Sequence, residues 1–289
     1  METEFITPNG KDSQAAAVSN SRRPNNLWLI IIAALFIIVP FLTWYLTWFG
    51  RTLSDEDVTR YLADENNPRH LQHALSQVAE RIERHDPQTK KFYPQVIALS
   101  RNPIAEIRKT TAWVMGQDNS SEDFHRALLG LLNDSEPLVR RNAALQLVRF
   151  SDGSGRPELR AMLEPFEVKS PLTGTIVSLL SPGSKVRAGG LLARIRDASG
   201  TVQEFRSPMD GALEKVSVKE ADSVNAGQVI VTLTPDRATV SDALQALAYV
   251  GTNDDLPMID AYAHNAANEA DLRQVAVEAA KSIRARNRQ

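Results

Sequence analysis

Apolar and polar positions divide the chain into stretches of four kinds. From Leu27 to Phe49 the run LWLIIIAALFIIVPFLTWYLTWF carries no charge, and fourteen of its residues are Leu, Ile, Phe or Val. At about 1.5 Å per helical residue such a run is long enough to cross a hydrocarbon core of about 30 Å, so it predicts a transmembrane helix over 27–49. Trp28 at one end and Trp44, Tyr45 and Trp48 at the other are expected as interface anchors, with Pro40 as a bend. Arg22 and Arg23 precede the run, and Asp55, Glu56 and Asp57 follow it beyond Arg51. The positive-inside bias then gives a single-pass protein of the inner (cytoplasmic) membrane, N-terminus in the cytoplasm and most of the chain periplasmic. A cleavable signal would have an apolar region of about 7–15 residues and a small-residue cleavage site. This run ends Trp-Phe-Gly-Arg, which reads as an uncleaved signal anchor, and the polar residues 1–26 read as a disordered tail.

Over 50–165 apolar residues recur at helical spacing, punctuated by Asn67-Pro68, Asn102-Pro103 and Asp134-Ser-Glu-Pro137, all of which mark helix starts. The segments 70–82, 106–118 and 138–150 align so that Leu71, Ile107 and Val139 coincide, 36 and 32 residues apart. Shorter amphipathic helices are expected between them at 55–63, 91–100 and 121–132, making helix pairs of about 30–40 residues. The segment Asp134-Ser-Glu-Pro-Leu-Val-Arg-Arg-Asn-Ala-Ala-Leu resembles the second helix of a HEAT-like repeat. That resemblance implies that Asp134 and Arg140 bridge neighbouring repeats.

At Phe166 the pattern turns to short alternations of Val, Thr, Ser, Gly and Pro, the signature of strands. Lys169-Ser-Pro-Leu-Thr-Gly174 recurs 37 residues later as Arg206-Ser-Pro-Met-Asp-Gly211, and each copy is followed by a second turn, at Gly189 and Gly227. Two equal halves, with glycine where the backbone is expected to need φ > 0, predict a small pseudo-symmetric β module over 166–235. These motifs resemble the biotinyl/lipoyl-domain family, a barrel-sandwich hybrid. Carriers of that family acylate one lysine at the tip of the hairpin joining the halves. No Lys lies between Lys185 and Lys215 here, and Arg194 and Arg196 are poor nucleophiles, so the resemblance implies a binding or structural module.

Helical periodicity resumes over 236–289, where Leu272, Arg273 and Ala276 match Val139, Arg140 and Ala143, so Arg273 is a third expected bridge. The β module is then an insertion in one solenoid, between a short helix near 157–163 and its partner at 239–250. The expected fold class is multidomain α plus β: a single transmembrane helix and an α-helical HEAT-like solenoid interrupted by a small all-β barrel-sandwich hybrid.

Composition narrows function mainly by exclusion. With 33 Lys+Arg against 35 Asp+Glu there is no basic field for nucleic acid, and zero Cys removes thiolate chemistry and disulfides. His70 and His73 share a helix face but lack a third ligand at recognisable spacing; no Walker, G-x-S-x-G or G-x-G-x-x-G motif occurs; Asp254-Asp255 reads as a helix-start pair. The expectation is a non-enzyme with no catalytic, metal or cofactor residues and no small-molecule substrate. Its expected partners are the lipid bilayer and other membrane or periplasmic proteins, as a membrane-anchored scaffold or accessory subunit. The alternatives are an adaptor of an export system, whose half-motifs are separated by a long helical hairpin rather than the ten or so residues found here, and a biotin or lipoate carrier.

Overall fold

The computed structural model describes residues 27–48 and 52–288, and divides the chain into two compact units, Met1–Thr52 and Leu53–Gln289. The expected tail over 1–26 lies outside the described residues. In the first unit α1 runs Leu27–Trp48 with Pro40 inside it, and Trp28 is exposed. The side chains of Trp44, Tyr45 and Trp48 lie outside the described residues. Among the described residues no helix is long and apolar enough to cross a membrane, which overturns the expected transmembrane span. The fold class is corrected accordingly: eleven α-helices and two antiparallel sheets among the described residues.

The second unit is built from helix pairs. These are α2 (Asp55–Leu62) with α3 (Pro68–Glu83), α4 (Tyr93–Ala98) with α5 (Ala105–Met115), and α6 (Glu122–Leu131) with α7 (Pro137–Arg149). Then come α8 (Arg156–Ala161) with α9 (Arg237–Val250), and α10 (Leu256–His264) with α11 (Ala270–Arg286). The second helices pack in sequence, α3 on α5, α5 on α7, α7 on α9 and α9 on α11, so the row continues past the strands that separate α8 from α9. Local chemistry sets the ends. Ser54 caps α2 through the Asp57 amide, Ser121 caps α6, Asp236 caps α9, and Pro68 and Pro137 begin α3 and α7 where no amide partner is needed. His85 and Ser151 take left-handed φ of 56° and 58° just after α3 and α7, allowing the Asp86 and Asp152 amides to close back on Arg81 and Leu147 carbonyls. The helix expected over 91–100 is broken into a 3₁₀ turn at Pro87–Phe92, α4, and another at Leu99–Arg101, because Pro87 and Pro94 each start a new first turn.

Eight strands form the module: β1 (Phe166–Lys169), β2 (Gly174–Leu179), β3 (Lys185–Val186), β4 (Leu191–Arg196), β5 (Val202–Arg206), β6 (Gly211–Val216), β7 (Ser223–Val224) and β8 (Val229–Pro235). One sheet has the order β1-β8-β6-β3 and the other β5-β4-β2-β7. Advancing every strand by four places converts one order into the other, so the duplicated halves exchange strands across a pseudo-twofold. Phe166 stands opposite Leu233, which brings the module's entry and exit together and lets α8 meet α9.

The four turn glycines divide by cause. Gly189 and Gly227 have φ of 76° and 83°, the left-handed conformation expected of them. Gly174 and Gly211 do not; a Cβ there would stand 2.4 Å from the Arg196 carbonyl oxygen and 2.5 Å from that of Thr234. The Ser-Pro-x-x-Gly signature is therefore a close-approach requirement. Gly211→Ala is expected to destabilise the module by about 2–3 kcal/mol in chemical denaturation, since backbone must move to admit the methyl; a loss below about 0.5 kcal/mol would contradict the close approach.

Three apolar cores meet at α7. Val139, Ala143 and Leu147 join the core of the first three pairs, Ala144 joins that of the last two, and Leu138 packs on the module's core. On the module side of this helix Arg141 is 5% exposed and makes no ion pair within 4 Å among the described residues: one amino group donates to Met209 Sδ at 3.1 Å, the guanidinium lies 5.3 Å from the Phe166 ring, and Nε has no hydrogen-bond partner. Burial pulls its pKa down. Arg141→Met keeps the volume and removes the desolvated charge, so it is expected to raise the unfolding free energy by about 1 kcal/mol. A loss of that size would show that the cation–π contact outweighs desolvation.

Candidate docking site

A ladder of charge joins successive pairs. Asn102 and Asp134, 32 residues apart, each accept the amide two residues on, Ile104 at 2.9 Å and Glu136 at 2.9 Å. Arg108 and Arg140 share the same spacing, and each reaches back to carbonyls of its own loop, Asn102 at 2.8 Å and Asp134 at 2.9 Å respectively. Each also reaches forward. Arg108 grips the Asp134 carboxylate at 2.6 and 2.8 Å, and Arg140 meets Glu158 of α8 at 2.7 Å. The Arg108 hydrogen bonds outweigh burial, which would raise it, and hold the Asp134 carboxyl below its usual range. Asp134 and Arg140 thus both lie between repeats, but with Arg108 and Glu158 as partners. Arg273 has a buried Nε without a hydrogen-bond partner and makes no ion pair among the described residues.

A second tie runs inside two successive pairs. Tyr93 Oη donates to Asp118 at 2.7 Å, and His125, at the equivalent position in the next pair, meets Asp152 at 2.6 Å. Burial and the Asp118 bond push the Tyr93 phenol up; Asp118 itself is lowered, its bonds from Ser120 and Tyr93 outweighing burial. In the interrupted pair Arg156 takes this position and donates to Thr252 Oγ1. Asp255, its side chain fully buried, receives the Thr252 amide at 2.7 Å and faces Arg156 at 3.5 Å and Arg160 at 3.4 Å. Its helix-start role is present as a capping box, and the cluster with α8 is additional.

Between α4 and α6 the stack leaves an open groove of about 580 Å³ floored by Pro94, Ile97, Ala127 and Leu131. It continues past Pro94 and Ile97 to Lys90 and Tyr93. Its carboxylates are already engaged: Asp134 by Arg108, Asp118 by Tyr93 and Ser120, and Asp123 by Arg126 at 3.3 Å. Sequence periodicity did not reveal this groove, because it depends on the gap between two short helices rather than on any motif.

The β4–β5 tip is a closed polar turn. Asp197 accepts from the Ser199 and Thr201 amides at 2.9 and 3.1 Å, and Gly200 has φ of 85°. Arg194 lies 3.3 Å from Glu204, which also pairs with Arg206 at 2.6 Å. Among the described residues no group of three or more His, Asp or Glu is placed to hold a metal; His70 instead bonds Asp64 at 2.7 Å and stacks on Tyr61.

A HEAT-repeat family model matches residues 126–154, which span most of α6 and all of α7. No curated protein matches the chain. Among solved structures, one described as "Structure and function of a single-chain, multi-domain long-chain acyl-coa carboxylase" is 17% identical over 44% of this chain, with a TM-score of 0.24. This chain spans 15% of the length of that one.

Proposed function

We propose that the chain is a non-catalytic scaffold or accessory subunit that binds other proteins, its helical stack presenting a biotinyl/lipoyl-like module used for docking. The observation that carries this reading is the β4–β5 tip. Where carriers of the resembled family hold their acylated amine, this chain has an Asp197-centred turn flanked by Arg194 and Arg196 and no lysine. A guanidinium remains protonated and does not accept an acyl group, whereas a rigid polar hairpin can be recognised by a partner. The stacked pairs supply the extended surface that solenoids use for protein recognition.

The test has two readouts on the full chain. A photo-crosslinker at Ala198 should yield one or a few discrete protein adducts in cells, and intact mass after co-expression with biotin and lipoate ligases should be unchanged. A cofactor adduct would replace the scaffold by a carrier, and absence of any crosslinked protein from both the tip and the helical stack would remove the scaffold reading.

A further inference from the structure

We propose that the groove between α4 and α6 docks an acidic peptide segment of a partner protein, anchored by one or two apolar side chains. This rests on the scaffold reading and adds to it the place and the chemistry of recognition. The floor of Pro94, Ile97, Ala127 and Leu131 offers apolar contact in a channel open to solvent. Charge decides the occupant. The groove's three carboxylates, Asp118, Asp123 and Asp134, are all bonded within the protein. Of its three cations, Arg126 pairs with Asp123 and exposed Lys90 lies near enough to Asp118 to help hold its carboxyl down, while Arg101 is exposed and has no ion pair within 4 Å among the described residues. An apolar floor with Arg101 uncommitted at one end and exposed Lys90 at the other favours a ligand that brings carboxylates on either side of an apolar anchor.

Gly130 supports the same placement. It sits in α6, where glycine costs roughly 1 kcal/mol relative to alanine, yet a Cβ there would meet nothing within 4 Å. Neither internal packing nor a positive φ calls for glycine at this position. It leaves the groove wall bare, so a second backbone can approach α6 closely.

The probe is a fluorescein-labelled peptide of Asp and Glu around a central Leu-Leu pair, compared with its Lys counterpart, titrated against the full chain by anisotropy. The acidic peptide should bind saturably, at least about tenfold more tightly than the basic one, and more weakly as salt rises. Lys90→Glu with Arg101→Glu should weaken binding about tenfold or more, and Gly130→Trp should block it while thermal unfolding stays two-state and near the parent midpoint. Equal binding of the two peptides, or parent-like binding by both folded variants, would overturn the proposal. Crosslinked partners that survive in the groove variants would leave the scaffold standing without the groove; loss of all partners in the parent chain alongside intact peptide binding would do the reverse.

Discussion

Asp134→Ala is expected to lower the unfolding free energy by about 3–5 kcal/mol, because it strands a guanidinium that is itself almost covered. The Asp134 and Arg108 side chains are 7% and 12% exposed and share two hydrogen bonds, at 2.6 and 2.8 Å. Arg108→Ala should cost a similar amount, and the double variant less than the sum, since neither charge is then left alone. The pair also sets a pH dependence. Arg108 holds the Asp134 carboxyl below the unfolded value of about 3.9, so its contribution is complete above that pH and disappears as pH falls through the lower folded value. Asp118 and Asp152 are lowered too, and add stability of the same sign. Denaturant titrations should therefore find the gap between parent and Asp134→Asn closing below about pH 4. A gap unchanged at acid pH would mean that Arg108 is not the partner that matters.

Asp255→Ala is expected to cost about 3 kcal/mol, toward the lower end for a buried pair because Arg156 and Arg160 remain about a third exposed and regain water. The substitution also removes the acceptor for the Thr252 amide. Asp255→Asn keeps an acceptor there and should cost about half as much. The position matters because Arg156 and Arg160 precede the inserted strands and Asp255 follows them, so the cluster fastens the two sides of the insertion. A cost below about 1 kcal/mol would make the cluster an incidental surface feature.

Much of this arrangement can be read from spacing. The Asn-Pro and Asp-x-x-Pro starts mark α3, α5 and α7, and the coincidence of Leu71, Ile107 and Val139 places their buried faces. The same spacing contains Arg108 beside Arg140 and Tyr93 beside His125, but their partners follow from how one pair stacks on the next, and Asp134 lies 26 residues from Arg108 for that reason. Glycines at 174 and 211 are conspicuous in the sequence, which does not distinguish a left-handed turn from a carbonyl 2.4 or 2.5 Å from an added methyl. Arg141 looks like one more charge in an Arg-Arg step; its burial comes from the module folding back on α7, a long-range event. Glu158 stands in for the next ladder aspartate because the repeat is interrupted there, and periodicity fails at such an interruption.

That α8 and α9 form one helix pair, so that a single solenoid continues across an inserted β module, is tested most directly by native-state hydrogen exchange on the full chain across a denaturant series. The slowest amides of α5, α7, α9 and α11 should merge into one opening, with a common free energy and slope, and Asp255→Ala should lower that free energy equally on both sides of the insertion. Two separate openings, one for residues 105–149 and another for residues 237–286, would contradict the continuous stack and leave two helical domains joined by a β domain.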